Sequence, residues 1–206
     1  MKTFLTSLRI RPIFSRNSLI NLYFRFKKGL SLGKGVKFYG FPIIDIRKGG
    51  RIIIGQNVTL NSRNRGYHGL LCSPVKLFSD RYNSLIEIGD NTRVHGSCIH
   101  AMRKISIGKN CLIAANCNII DSDGHEVDVE DVTTRINTEG KKKEVVIADN
   151  VWIGLNCIIL PGSKIGNGSV IGAGSVVRGE IPPYSVAVGN PAIVVRKINY
   201  KTKSVG

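Results

Sequence analysis

Aliphatic residues recur at every sixth position from Ile147 through Ile153, Ile159, Ile165 and Ile171 to Val177. That spacing fits neither the 3.6-residue period of a helix nor the two-residue alternation of a half-buried strand, and it marks a repeat. Three places after each of the first five stands Asn150, Asn156, Gly162, Gly168 or Gly174, residue types that tolerate a positive φ at a corner. One place further stands a small residue: Val151, Cys157, Ser163, Ser169 or Ser175. The pattern predicts short strands joined by corners, each strand sending one aliphatic side chain into a shared interior. Three such turns close one coil.

The same unit begins imperfectly at Leu32 and reads IGQNVT from Ile54, IGDNTR from Ile88, VHGSCI from Val94, IGKNCL from Ile107 and IAANCN from Ile113. Two stretches interrupt it, residues 61–83 and 121–144, and long excursions from a regular scaffold commonly carry function. The first, with Arg63, Arg65, Tyr67 and His68, is expected to line an acceptor site or a subunit contact. After Pro183 the hexapeptides are expected to stop, with Gly189, Asn190 and Pro191 turning the chain into a closing strand. Residues 1–31 differ in kind, mixing basic residues with aliphatic and aromatic ones around Pro12. Their Ser18–Lys28 half is predicted as a basic amphipathic helix, which either caps the open end of the coil or rests on anionic lipid. The coil domain is expected over 32–198 and a basic tail over 199–206.

Charge narrows the partners. Lys plus Arg number 30 against 14 Asp plus Glu, a formal net charge of +16, which favours acidic partners such as phosphorylated cofactors, nucleotide sugars or anionic lipid. No nucleic-acid-binding module is visible, so nucleic acid is not an expected partner. Of five cysteines, Cys98, Cys111, Cys117 and Cys157 are assigned to the small-residue place as core thiols, and none forms a CxxC pair. There is no apolar run of spanning length, and the expected location is the cytoplasm, with the N-terminal segment as a candidate peripheral contact with the inner membrane surface.

The hexapeptides, the Asn150–Gly154 run NVWIG and the Gly124–His125 pair that opens the second excursion together resemble the left-handed parallel β-helix acyltransferases. That family includes galactoside, maltose, serine and virginiamycin acetyltransferases. The resemblance implies an all-β fold, a left-handed parallel β-helix of three-sided coils with a short helical N-terminal segment and two loop excursions. It also implies a homotrimer with sites between subunits. The activity it implies is transfer of acetyl from acetyl-CoA to a sugar hydroxyl, without a metal, with His125 as general base and Asp123 or Asp121 orienting the imidazole. Acceptor contacts fall on His95, Asn116 and Asp121; His95 stands where galactoside and maltose acetyltransferases carry a sugar-holding asparagine. Coenzyme A contacts fall on Trp152, Gly154, Leu155, Ala173, Gly174, Arg178 and Arg196, with Lys197, Lys201 and Lys203 as further phosphate partners.

Other readings remain open at this point. An N-acyltransferase acting on a nucleotide-linked amino sugar would need less help from His125, since an amine is the better nucleophile. His95 and His100, if on stacked faces, suggest a zinc site like that of the γ-class carbonic anhydrases, which share the fold. A non-catalytic β-helix is the third. Covalent catalysis has no candidate nucleophile, because there is no GxSxG elbow and the cysteines are assigned to the core; separately, the glycine-rich GNGSVIGAGS run lacks the spacing of a phosphate loop.

Overall fold

The computed structural model of the chain describes residues 16–199. Residues 1–15 of the expected N-terminal segment, and Lys201 and Lys203 of the tail, lie outside the described residues. Short strands wind in order around a three-sided prism, giving a seven-stranded first face, an eight-stranded second face and a six-stranded third face. Pairing is parallel throughout except for one closing strand, so each strand lies beside those one coil before and one coil after.

The six-residue period places one aliphatic residue per strand in the interior. On the second face Leu60, Val94, Ile113, Ile153, Ile171 and Ala187 stand in one ladder. On the third, Ile44, Leu77, Ile99, Ile119, Ile159 and Val177 form another. Nearly all are fully buried, and each such side chain contributes about 1.5–3 kcal/mol relative to exposure. The corners behave as predicted: Asn150, Asn156, Gly162, Gly168 and Gly174 all have positive φ, between 58° and 81°. Along the edge between first and second faces the corner asparagines also bond to one another, Asn57 to Asn91, Asn91 to Asn110, Asn110 to Asn150 and Asn150 to Asn167.

The small-residue place has a polar task as well. Thr92 Oγ1 donates to the Gly108 carbonyl, and the Cys111, Cys117 and Cys157 thiols point at the Ala148, Gly154 and Gly172 carbonyls of the next coil at 3.1 Å. Burial pushes the Cys111 thiol up, and the hydrogen bond with the Cys157 thiol, then burial, push up that of Cys117, keeping both protonated and unreactive. Cys98 is a correction. Ser97 fills its expected place, and Cys98 starts the outward row of the strand Cys98–Ala101. The reason is a five-residue step from Val94 to Ile99, closed by Gly96 at φ 40°. The inserted loop's Leu71 packs so closely on Gly96 that a β-carbon there would meet it.

The same displacement corrects the first excursion. Strand Lys76–Ser79 belongs to the third face and buries Leu77, so the loop is confined to residues 62–75. The second excursion has the expected bounds, between strands Asn118–Ile120 and Val145–Ile147. At the open end lies α1, Arg16–Arg25. Its Ile20 and Phe24 are buried, and Phe24 packs on Phe38 and Phe41 at ring separations of 5.4 and 5.2 Å, so the helix caps the coil. At the other end the coil runs one strand beyond Pro183, through Ser185–Val188, before Ile193–Lys197 returns antiparallel.

Candidate active site

The second excursion starts and ends on one edge of the prism, between the third and first faces, opposite the second face. Its base is a closed hairpin: Lys143 N–H donates to the Asp121 carbonyl, Asp123 N–H to Lys141, and Gly140 N–H to Gly124. Gly124 at φ 80° turns the chain immediately before His125, and a β-carbon on Gly140 would sit 2.8 Å from the His125 carbonyl oxygen. Two glycines therefore let the hairpin close beneath the imidazole. Asp131 caps the short 3₁₀ helix Val132–Asn137 by accepting from Thr133 N–H, and that helix delivers Thr138.

The Thr138 carbonyl oxygen lies 3.0 Å from His125 Nδ1. A carbonyl can only accept, so the proton resides on Nδ1 and Nε2 presents a lone pair. The exposed ring faces a hollow of about 290 Å³ shared with Asp123, Lys141, Lys143 and Arg178. Sequence pattern could not show the Thr138 carbonyl, since a backbone atom leaves no residue signature. Asp123 shares the hollow, but the orienting bond comes from Thr138.

Asp121 and Asn116 are corrections. Asp121 is fully buried, and its two carboxylate oxygens accept from Met102 N–H at 2.7 Å and Arg103 N–H at 2.8 Å, so it locks the corner of the preceding coil and cannot reach an acceptor or the imidazole. Asn116 is a corner residue at φ 63°. Its amide ties down the first excursion, donating to the Leu70 carbonyl and accepting from Cys72 N–H.

On the second face a groove of about 550 Å³ contains Trp152, Gly154, Leu155 and Ala173, four of the residues expected to hold coenzyme A. Its form follows from the outward rows. Leu112, Trp152 and Val170 stand in register as one apolar ridge, while the next outward positions are Ala114, Gly154 and Gly172, too small to fill the space beside it. A thin chain such as pantetheine fits such a trench, with backbone amides and carbonyls along the floor. Trp152 is 53% exposed on this wall. Gly174 is a corner outside the groove lining, Arg196 lies exposed on the closing strand, and Lys197 donates to Ser185.

His95 closes the N-terminal end of the groove. Asn61 Oδ1 accepts from Arg63 N–H, which turns Asn61 Nδ2 toward His95 Nδ1 at 3.3 Å. The His95 proton therefore sits on Nε2. Tyr67 from the inserted loop stacks on the ring at 4.6 Å and accepts from Ala115 N–H. Burial, then the nearby Arg93 and His68, lower the His95 pKa to about 4, so it is a neutral donor rather than an ion. His100 lies on the third face, stacked on Phe78 and bonded to Asp80 at 3.1 Å. The two histidines are thus on different faces, and among the described residues no group of three His, Cys, Asp or Glu side chains converges as a metal site.

The comparisons with known proteins identify the coil as that of a repeat transferase. The family model for bacterial transferase hexapeptide (six repeats) matches residues 144–179, and that for the hexapeptide repeat of succinyl-transferase matches residues 104–124. A putative lipopolysaccharide biosynthesis O-acetyl transferase of Escherichia coli is 34% identical over 165 residues, 77% of this chain and 78% of that protein. A putative acetyltransferase of Saccharomyces cerevisiae is 46% identical over 121 residues, 58% of this chain and 60% of that protein. The structure of a galactoside acetyltransferase in complex with coenzyme A is similar at TM-score 0.54 and 42% identity, covering 61% of this chain and 60% of that one. An N-acyltransferase from Bacillus cereus shares the fold alone, with TM-score 0.67 and 19% identity over 90% of both chains. The chain belongs to the hexapeptide-repeat acetyltransferase family, and its coil is that family's left-handed parallel β-helix.

Proposed function

We propose that the protein transfers an acetyl group from acetyl-CoA to a hydroxyl of a sugar, in the synthesis of a surface glycan. The observation that carries this reading is His125, held by the Thr138 carbonyl with Nε2 free to accept a proton. In the reaction Nε2 takes the hydroxyl proton as the oxygen attacks the thioester carbonyl carbon. The tetrahedral intermediate then collapses, the C–S bond breaks, and the imidazolium returns its proton to the departing sulfur. The products are an acetyl ester and free coenzyme A, and no acyl-enzyme forms. The lipopolysaccharide acetyltransferase relative supports a glycan acceptor.

One chain cannot complete this site, because His125 and the groove lie on opposite sides of the prism. The loop tip exposes Val127, Val132 and Ile136, and the groove exposes Leu112 and Trp152. Apolar surfaces on opposite sides of one chain favour a head-to-tail ring, in which His125 of one copy reaches the groove of the next. A homotrimer is the closed form we propose. Peripheral contact with anionic lipid through Leu19, Leu22, Tyr23 and Phe26, exposed on the capping helix and just beyond it, belongs to the same proposal.

The test is thiol release from acetyl-CoA with a panel of sugar and amino-sugar acceptors. His125→Ala should lower kcat about 10²–10⁴-fold, and co-assembly of His125→Ala with Trp152→Ala should restore part of the activity that each lacks alone. Full turnover by His125→Ala, or failure of wild type to bind acetyl-CoA, would overturn the reading. A strict preference for amine acceptors would convert it to the N-acyl alternative.

A further inference from the structure

The outward row of the second face changes character midway. In register it runs Lys37, Thr59, Arg93, then Leu112, Trp152 and Val170. The apolar half borders the acyl groove. The polar half opens into a second hollow of about 480 Å³, which shares Tyr67, Arg93 and His95 with the groove and is continuous with it in that sense. Its charged lining is Lys37, Arg65 and Arg93, with no carboxylate among them. No ion pair is formed by any of the three among the described residues, whereas Arg47, Arg81, Arg103 and Lys104 elsewhere on the coil all have carboxylate partners.

Three unpaired cations around one concavity repel one another, and the arrangement is relieved by an anion that several of them reach at once. Lys37 and Arg93 lie two strands apart, about 10 Å between backbones. One carboxylate cannot engage both fully; two linked phosphates, met by long side chains from opposite sides and by Arg65 from the loop, can. Guanidinium groups also suit phosphate oxygens geometrically. Tyr39 and Tyr67 supply ring surface and phenol groups beside the charges.

We propose that this hollow is an anion subsite for the acceptor, binding the diphosphate of a glycosyl diphosphate so that the attached sugar lies against His95 at the mouth of the acyl groove. The proposal rests on the transferase reading and narrows its substrate class. A nucleotide-linked sugar and a lipid-linked sugar diphosphate share this chemistry. The hollow reads the part they have in common.

The test compares one sugar offered free, as its 1-phosphate, as its uridine diphosphate conjugate and as a long-chain alkyl diphosphate conjugate in detergent, at saturating acetyl-CoA. At least one diphosphate form should exceed the free sugar in kcat/KM by about tenfold or more, a single charge-assisted contact being sufficient for that factor. Which conjugate is better identifies the source. Lys37→Ala and Arg65→Ala should each raise KM for the diphosphate acceptor several-fold, with KM for acetyl-CoA and turnover of free sugar unchanged. Inorganic pyrophosphate provides a check independent of turnover. Its binding, followed by calorimetry, should weaken about tenfold or more in the Lys37→Ala/Arg65→Ala double variant. Equal use of free and diphosphate sugars, or pyrophosphate binding unaltered in the double variant while acetyl-CoA still binds, overturns the subsite. Failure of wild type to bind acetyl-CoA overturns the transferase reading instead.

Discussion

The coils from Val145 to Val188 and those from Leu30 to Ala101 share one geometry but hold to it with unequal strictness. In the C-terminal coils the step from core residue to core residue is six without exception from Ile147 to Val177, and each corner there has positive φ. Their second face carries Trp152 and Val170 beside Gly154 and Gly172. In the N-terminal coils one step shrinks to five, residues 62–75 leave the coil, and the same face carries Lys37, Arg93, Tyr39 and His95. Regular repetition builds a uniform trench, suited to a donor of constant shape. Departures from it supply charge, stacking and hydrogen-bond donors, which is where the proposed acceptor subsite lies.

Breaking the seam between the two halves should have the largest effect on stability. Asp121→Ala removes the buried carboxylate that accepts from two part-buried N–H groups, those of Met102 and Arg103. Losing two hydrogen bonds to a charged acceptor should lower stability by about 3 kcal/mol, read as a fall in urea midpoint at unchanged slope. A variant with wild-type midpoint would show that water or backbone relaxation replaces the carboxylate.

Two glycines sharpen the contrast directly. A β-carbon on Gly154 would lie 2.6 Å from Ala173 N, 2.9 Å from Ala173 Cα and 3.0 Å from the Ile171 carbonyl oxygen, all backbone atoms of the next coil. Gly154→Ala must push coils apart, with an expected cost of about 2 kcal/mol and weaker acetyl-CoA binding. Gly66, in the inserted loop, has φ 83° and nothing within 4 Å of the added carbon. Gly66→Ala should cost only about 1 kcal/mol, the strain of the left-handed backbone. Equal losses in thermal unfolding would mean that coil spacing adapts freely, contrary to the regularity of the C-terminal half.

The same contrast explains what could be read before the structure. Ile147 to Val177, their corner residues and the bounds of the second excursion were legible, because a period is visible wherever it is kept. The strand Lys76–Ser79 was hidden by the loop before it, and the outward placement of Cys98 by the five-residue step from Val94 to Ile99, which puts the small residue Ser97 one place earlier than a six-residue count expects. Asp121 and Asn116 looked like site residues since polar groups next to an interruption resemble chemistry; both instead satisfy backbone groups, Asp121 at the corner of the preceding coil and Asn116 in the first excursion. His125 was singled out from its Gly-His context, whereas the carbonyl of Thr138 that bonds its ring depends on how the hairpin closes.

A smaller effect distinguishes the donor His95 from a solvated histidine. Its folded pKa of about 4 lies below the ordinary 6.5. Between those values the unfolded chain binds a proton that the folded chain refuses, so stability should decline as pH falls from about 6.5 to 4 and change no further from this source below that. Because the ring is partly solvated, the contribution is about 1 kcal/mol rather than the full linkage value. The measurement is the difference in unfolding free energy between wild type and His95→Asn across that window. Parallel curves would place the ring in water and remove it from the acceptor end of the groove.

The smallest effect concerns the asparagine ladder on the edge between the first and second faces. Asn110 has φ 56°, accepts from Asn91 Nδ2 at 3.1 Å and donates to Asn150 Oδ1 at 3.3 Å, all on an exposed corner. Its two roles, conformational and hydrogen-bonding, come apart in two variants. Asn110→Gly keeps the left-handed backbone and loses only solvent-accessible side-chain bonds, so it should cost about 0.5 kcal/mol. Asn110→Ala loses the same bonds and must also strain the corner, adding about 1 kcal/mol. If the glycine variant is as unstable as the alanine variant, the ladder's bonds hold the coils together. If it is nearly neutral, asparagine recurs at this edge because the corner needs a residue at ease with positive φ. In that case asparagine and glycine, which both occur on this edge and on the others, at Gly168 here and at Asn116 and Asn156 elsewhere, are two solutions to the same backbone problem.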